Sequence, residues 1–343
     1  MNVYPTGTTF CLKAGTHNLL SSIIPKSGDA FIGQYGAILD GGQWVTSDPT
    51  QAAFRGFNVL LSNVTIRNLV IRNMPQNGIA TAYSANSHWT IDHNEVFGAR
   101  TNGISFPDTS TVEHNYIHHN GGYGFTGYMT SGTIFRNNEV AFNNACNCYP
   151  EGGASKLAGT TNASVVGNYI HDNGGNGIWF DTNNSGVLIA NNTVSVNATY
   201  GKAISMEQNN GSAVIRDNAI TVGPGGEVAI IVNNSSHEQI YNNIITTSSP
   251  SNGGAIHVYF DASRTGYDTA DIRVSNNQVT LQGSATIAAS VSCSNVTSCT
   301  GYWTTKGNVF QGNTYRVPTP TGKNWMLTAP VTWSQWQSAG YDT

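Results

Sequence analysis

The chain of 343 residues carries 15 Lys or Arg and 19 Asp or Glu, so that 10% of it is charged where roughly a quarter is usual; 38 glycines and 40 asparagines fill the difference. With 39% apolar and 10% aromatic residues and a formal charge of −4, the composition excludes a disordered chain. It also excludes a nucleic-acid binder held by a basic stripe, and a membrane span is absent, since no aliphatic run approaches the ~20 residues needed to cross a bilayer.

The sequence opens at Met1-Asn-Val-Tyr-Pro5 with no basic n-region or apolar h-region. Either a leader has been removed or the protein is cytosolic, and the low charge with abundant Asn, Ser and Thr favours a secreted protein. Residues 1–62 read as first coils and a cap, with Thr8-Thr-Phe-Cys-Leu-Lys-Ala-Gly15 and Gly36-Ala-Ile-Leu-Asp-Gly-Gly42 as strand-and-turn phrases. The five cysteines, Cys11, Cys146, Cys148, Cys293 and Cys299, lack the partners of a zinc site and suit one or two local disulfides and a spare thiol.

From residue 63 to 317 the chain repeats. Asn-x-Val/Ile/Phe recurs at Asn68, Asn94, Asn115, Asn138, Asn168, Asn192, Asn218, Asn243, Asn277 and Asn308, 21 to 34 residues apart. Each is preceded by a short alternating segment and followed by a small residue and an aliphatic or aromatic one, as in Gly78-Ile79, Gly103-Ile104, Gly124-Phe125, Gly177-Ile178, Ala203-Ile204, Ala229-Ile230 and Ala255-Ile256. Two or three strands of period two per ~25 residues, with no helical period, fit one coil of a parallel solenoid rather than a leucine-rich repeat or a propeller blade. The repeated Asn is expected in the left-handed region at a corner, its amide bonded to the Asn of the next coil. Residues 318–343 shift to Pro, Thr and Trp, and Trp325, Trp333 and Trp336 are expected to close the last coil. The whole reads as a single all-β domain of ten or more coils.

These phrases resemble the right-handed parallel β-helix superfamily that includes pectate lyases, polygalacturonases, alginate lyases and epimerases, and phage tailspikes. Glu151-Gly-Gly-Ala-Ser-Lys156, Gly167-Asn-Tyr-Ile-His-Asp-Asn173, Gly177-Ile-Trp-Phe-Asp181 and Ile204-Ser-Met-Glu207 are similar to a run in uncharacterised secreted bacterial β-helix proteins. The paired aspartates and Gly-His-Gly of polygalacturonases and the Asp-Pro-His-Asp of alginate epimerases are absent. The resemblance implies a fold and leaves the reaction open, because this solenoid carries lyases, hydrolases, epimerases and adhesins.

A site is sought by counting from the inward aliphatic of each Gly-Ile phrase, since side chains alternate along a strand. The next position reads Ser105, Thr126, Lys156, Trp179, Ser205, Ile231 and His257; two further on stand Tyr128, Ala158, Asp181, Glu207, Asn233 and Tyr259. Both columns point outward. The fourth coil is the least regular, offering Ser155 in place of an aliphatic. Asp181 and Glu207 fall in one column on adjacent coils, ~5 Å apart at the backbone, where mutual repulsion would keep one carboxyl protonated as an acid and leave the other ionised. That is the pair glycoside hydrolysis needs. Glu151, on the longer repeat with Cys146 and Cys148, is placed to assist. Lys156, Trp179, Tyr128, Asn233, His257 and Tyr259 are the expected substrate contacts, an aromatic ring being a platform for a sugar face. The favoured reading is a secreted, monomeric glycoside hydrolase acting on a polysaccharide, with no metal or other cofactor and no nucleic-acid or membrane partner. In the alternative that the resemblance implies, Glu151, Asp181 and Glu207 hold a Ca²⁺ that neutralises a uronate and Lys156 removes the C5 proton; one Lys and no Arg on the mapped face weigh against it. The third alternative is a non-catalytic adhesin or tailspike-like module. His118 and His171, which follow Asn-x-Ile phrases at equivalent places, read as structural.

Overall fold

A computed structural model describes residues 3–56, 60–81, 86–146, 148–296, 299 and 305–343. The chain divides into two compact units, Met1–Gly174 and Gly175–Thr343, and each is a right-handed parallel β-helix. One coil runs through three short strands. In the coil of Thr90–Asp92, Glu95–Phe97 and Ile104–Ser105, the three lie on faces we call I, II and III. Each pairs in parallel with its counterpart one coil away, Ile91 with Ile66 and Val112, Val96 with Ile71 and Ile117, Ile104 with Ile79 and Phe125. Each strand is too short to fold alone. Stacking joins their inward residues into one column per face, and Ile66, Ile91, Val112, Ile71, Val96, Ile117, Ile79 and Ile104 are all without exposed surface.

The corner between faces I and II explains the repeated asparagine and corrects the conformation expected of it. The residue before each Asn, not the Asn itself, occupies the left-handed region: His93 (φ 55°), His114 (φ 53°), Asn137 (φ 54°), Asn191 (φ 55°), Asp217 (φ 56°), Asn242 (φ 56°) and Asn276 (φ 55°). That residue makes the bend with its side chain outside, and the bend aims the following Asn inward. In the first unit Asn94, Asn115, Asn138 and Asn168 form a ladder. The backbone N and Nδ2 of Asn94 both donate to Oδ1 of Asn115 at 2.9 and 3.0 Å, and the pattern repeats from Asn115 to Asn138 and from Asn138 to Asn168. In the second unit the ladder is Asn192, Asn218, Asn243, Asn277 and Asn313. Asn68 and Asn308 do not belong to it. Asn68 is itself the left-handed residue (φ 57°) and Leu69 stands in the ladder position; Asn308 precedes the face I strand Val309–Gln311 and bonds Ile272 and Thr269.

The first strands, Thr9–Leu12 and Gly15–Asn18, are the outermost of their sheets and largely exposed. At the other end the Trp-rich segment closes its unit as expected. Trp325–Met326 adds a parallel strand to face III, Pro330–Val331 returns antiparallel to it, and a helix, Trp333–Ser338, starts in a capping box at Thr332. Trp336 is fully buried, edge-on to Phe310 at 5.1 Å. Asp342 takes the place of a further Asn: its Oδ1 accepts from the backbone N and Nδ2 of Asn313, and its Oδ2 from the Tyr315 hydroxyl and Trp336 Nε1. Cys146–Cys148 and Cys293–Cys299 are disulfide-bonded and Cys11 is an exposed free thiol. No helix among the described residues is long and apolar enough to cross a membrane.

Candidate functional site

The outward columns of face III fall in the register the sequence spacing predicts. In the second unit Trp179 pairs with Ser205, Ser205 with Ile231 and Ile231 with His257; Asp181 pairs with Glu207, Glu207 with Asn233 and Asn233 with Tyr259. In the first unit Ser105 pairs with Thr126 and Thr126 with Lys156, while Tyr128 pairs with Ala158. Ser155 does take the inward position, beside Phe125.

Asp181 and Glu207 end the strands Ile178–Asp181 and Lys202–Glu207, where the chain leaves the sheet and a side chain can reach past it. Glu207 is held on both oxygens: Oε2 accepts from Trp179 Nε1 at 3.0 Å and Oε1 is ion-paired with Arg264. Asp181 Oδ1 accepts from the Thr182 hydroxyl at 2.8 Å. Beside the neighbouring carboxylate of Asp181, Glu207 thus has a cation of its own, Arg264. A carboxyl that accepts on both oxygens is arranged as a base or nucleophile, not as a proton donor. For the same reason it is a poor member of the Ca²⁺ set that the lyase alternative would build from it.

Arg264 corrects the expectation of a face without arginine. It sits in the turn after strand Ile256–Asp261, and this segment folds back over earlier coils of its own unit. Arg264 Nη1 also donates to Gln208 Oε1 at 2.8 Å, Asn210 Nδ2 donates to the Gly266 carbonyl at 3.1 Å, and the Tyr267 hydroxyl donates to Asn183 Oδ1 at 2.9 Å. Trp179 is only 6% exposed, so it positions Glu207 and offers little open platform for a sugar ring.

Further along the same columns, His257 is part-buried beside Ser292, Nε2 to Oγ 2.8 Å, and its ring lies 5.1 Å from that of Tyr259. Desolvation and the charge of Lys202 pull its pKa down to about 4, so the imidazole is neutral at neutral pH and can accept or donate one hydrogen bond. The Tyr259 hydroxyl donates to Ser294 Oγ at 2.7 Å. Asn233, between Glu207 and Tyr259, has a buried Oδ1 with no hydrogen-bond partner among the described residues.

In the first unit Lys156 Nζ donates to Glu151 Oε2 at 2.7 Å, with Glu151 67% exposed. An ammonium engaged by a carboxylate is a donor, which argues against Lys156 as the base of the lyase alternative and gives Glu151 a salt-bridge role. Tyr128 is 44% exposed and remains an accessible ring. His118 and His171 are each held twice. Nε2 lies 3.1 Å from Glu95 and 3.3 Å from Glu139, Nδ1 2.7 Å from His119 and 2.7 Å from Asp172, and each ring stacks on a tyrosine of its own strand.

Comparison with known proteins adds the family. The family described as right handed beta helix region matches residues 31–149 and 82–245, well over half of the chain. The chain belongs to the right-handed β-helix family. No curated protein matches the sequence. Among solved structures, the Azotobacter vinelandii mannuronan C-5 epimerase AlgE6 A-module is similar with a TM-score of 0.51 at 15% identity, covering 95% of this chain and 91% of that one. The DFA-IIIase of Arthrobacter chlorophenolicus A6 in complex with GF2 gives 0.61 at 13% identity, covering 84% and 81%. The Dettilon tailspike protein gives 0.66 at 15% identity, covering 94% and 62%. These likenesses are of fold. Within this β-helix, Arg264 is the site residue that counting along strands misses, because it lies on a turn and meets Gln208, 56 positions earlier. The one hint in the sequence is the extended repeat, 34 residues from Asn243 to Asn277, that carries it.

Proposed function

We propose that this β-helix protein is a secreted carbohydrate-active enzyme that cleaves glycosidic bonds of a polysaccharide on face III, by hydrolysis. The observation that carries the reading is the in-register pair Asp181 and Glu207 at adjacent strand ends, with Trp179 and Arg264 fixing Glu207. Glu207, accepting on both oxygens, takes the role of carboxylate base or nucleophile, which leaves Asp181 as the proton donor to the leaving oxygen. Asn233, His257 and Tyr259 continue the column and supply polar contacts to successive sugar units. The mannuronan epimerase among the similar structures agrees with a glycan as substrate.

The test is a polysaccharide panel assayed for new reducing ends with the wild type, Asp181→Asn and Glu207→Gln. Each substitution is expected to lower turnover by about 10²–10⁴-fold with an unchanged thermal midpoint. Full activity in both variants refutes the assignment. A second reading, elimination rather than hydrolysis, is favoured by one observation: Arg264 supplies an arginine, which the counted columns lacked. A product absorbing in the near ultraviolet, as an unsaturated uronate does, would establish elimination; reducing ends without that absorbance establish hydrolysis. Binding without any cleavage would leave a module of the tailspike kind.

A further inference from the structure

The corner between faces I and II of the first unit carries a group of side chains that neither the carbohydrate reading nor the core uses. His93 and His114 are the left-handed residues of successive coils, so their side chains leave the corner side by side, with ring centroids 4.8 Å apart. The backbone beneath them is rigid, because Asn94 and Asn115, the next residue in each case, are locked ladder members. Between the rings lies Asp92, 2% exposed, whose Oδ1 is 2.5 Å from His93 Nδ1 and 3.3 Å from His114 Nδ1. Its other oxygen, Oδ2, is held by Arg67 through Nε at 2.7 Å and Nη2 at 2.5 Å.

We propose that Asp92, His93 and His114 form a binding site for a divalent transition metal of the zinc type, joining two successive coils of the solenoid. The three ligand atoms, one carboxylate oxygen and two imidazole nitrogens, lie within 4.8 Å of one another. Metal–ligand bonds of about 2.0–2.2 Å require them about 3.3 Å apart. His114 Nδ1 is already 3.3 Å from Oδ1, and His93 Nδ1, at 2.5 Å, has to swing outward; both rings have the freedom to adjust, their side chains being 58% and 43% exposed, while the carboxylate is fixed. Two imidazoles and one carboxylate select Zn²⁺, Co²⁺ or Ni²⁺ over Mg²⁺ or Ca²⁺, which prefer all-oxygen sites. Arg67 does not compete for the coordinating atom. It occupies Oδ2, leaves Oδ1 to the metal, and so plays the part of an outer partner that orients the ligand. Glu113, with Oε2 3.9 Å from His114 Nδ1, is itself paired with Arg136 Nε at 2.6 Å, so it is not counted among the ligands.

The untagged full chain, stripped with chelator, is titrated with Co²⁺ and Zn²⁺ by calorimetry, and the Co²⁺ form is examined for ligand-field bands. One equivalent per chain is expected, with the bands of a nitrogen- and oxygen-ligated ion. His93→Ala and His114→Ala should each weaken binding at least tenfold and remove those bands, whereas His237→Ala, at an exposed histidine of the second unit, should change neither. Both rings are surface groups, so the variants are expected to keep the wild-type circular dichroism spectrum, with the midpoint lowered by no more than a few degrees for alanine at a left-handed position, which the same samples check. Absence of binding by either ion in the wild type, or unchanged affinity and stoichiometry in both His variants, overturns the proposal.

Discussion

Within the second unit, the corner between faces I and II and the outer side of face III are built by the same stacking and read in opposite ways. At the corner every coil presents the same side chain, Asn192, Asn218, Asn243, Asn277 and Asn313, each 8% exposed or less. On face III the partners of one column are Trp179, Ser205, Ile231, His257 and Ser290, and of the next Asp181, Glu207, Asn233, Tyr259 and Ser292. A corner position must satisfy buried backbone groups of its neighbours, and one residue type does this best. An outward position has no such duty, so it is free to differ from coil to coil and to hold chemistry. The sharpest way to break this contrast is to treat a corner as though it were a face. Asn218→Ala removes the acceptor of the Asn192 backbone N–H and amide, and the donor to the Ile189 carbonyl and Asn243 Oδ1. With several buried groups left unpaired at ~1–3 kcal/mol each, stability should fall by about 3–5 kcal/mol and the calorimetric midpoint by about 10 °C. A drop no larger than that of a surface substitution would refute the ladder's role.

The face answers differently. Arg264→Ala leaves Glu207 Oε1 without its cation and Gln208 without its partner, yet the pair is partly exposed, so the midpoint should move by no more than about 2 °C. Activity on the cleaved polysaccharide should fall about 10- to 100-fold, an effect of the size expected when a partner that orients a site group is lost. Arg264→Lys keeps the charge without the planar fork and should recover part of the loss. An Arg264→Ala enzyme as active as the wild type would place the chemistry away from Glu207.

How much of this was legible in the sequence follows the same division. The coil, its register and the columns of face III could be read because parallel stacking without shear turns sequence spacing directly into neighbourhood, and even the irregular Ser155 falls where counting puts it. The corner conformation was displaced by one residue, since Asn-Asn, His-Asn and Asp-Asn pairs hide which member bends and which points inward. Asn68 and Asn308 matched the phrase while serving other places, because a two-letter pattern does not distinguish one corner from the next. Arg264 and Asp342 were illegible for a different reason. Both act from segments outside the stacked strands, at 56 positions from Gln208 and 29 from Asn313, where no periodicity fixes the partner. The histidines beside Asp92 were within reach: His93 and His114 each precede a ladder Asn, and only the assignment of the left-handed bend to the wrong residue concealed that their rings leave the same corner together.

An inward carboxyl of the second unit lacks the pairing that the corner asparagines have. Glu238 opens strand Glu238–Tyr241, points inward like Ile240, and is without exposed surface; neither of its oxygens has a hydrogen-bond partner among the described residues. Desolvation therefore raises its pKa well above the ordinary 4.5. The folded chain keeps this proton over a range in which the unfolded chain has lost it, so this carboxyl's contribution to folding is most favourable below about pH 4.5 and weakens as pH rises, until it ionises in the folded chain as well. Glu238→Met fills the space with apolar atoms and removes the titration. It should raise stability at pH 7 by about 1–2 kcal/mol, a midpoint shift of a few degrees, and flatten the decline between pH 4.5 and pH 8. Thermal melts of the two proteins across that range decide it: equal slopes would mean that Glu238 has a partner when folded, and a less stable variant would mean that the carboxyl contributes to the core in which it lies.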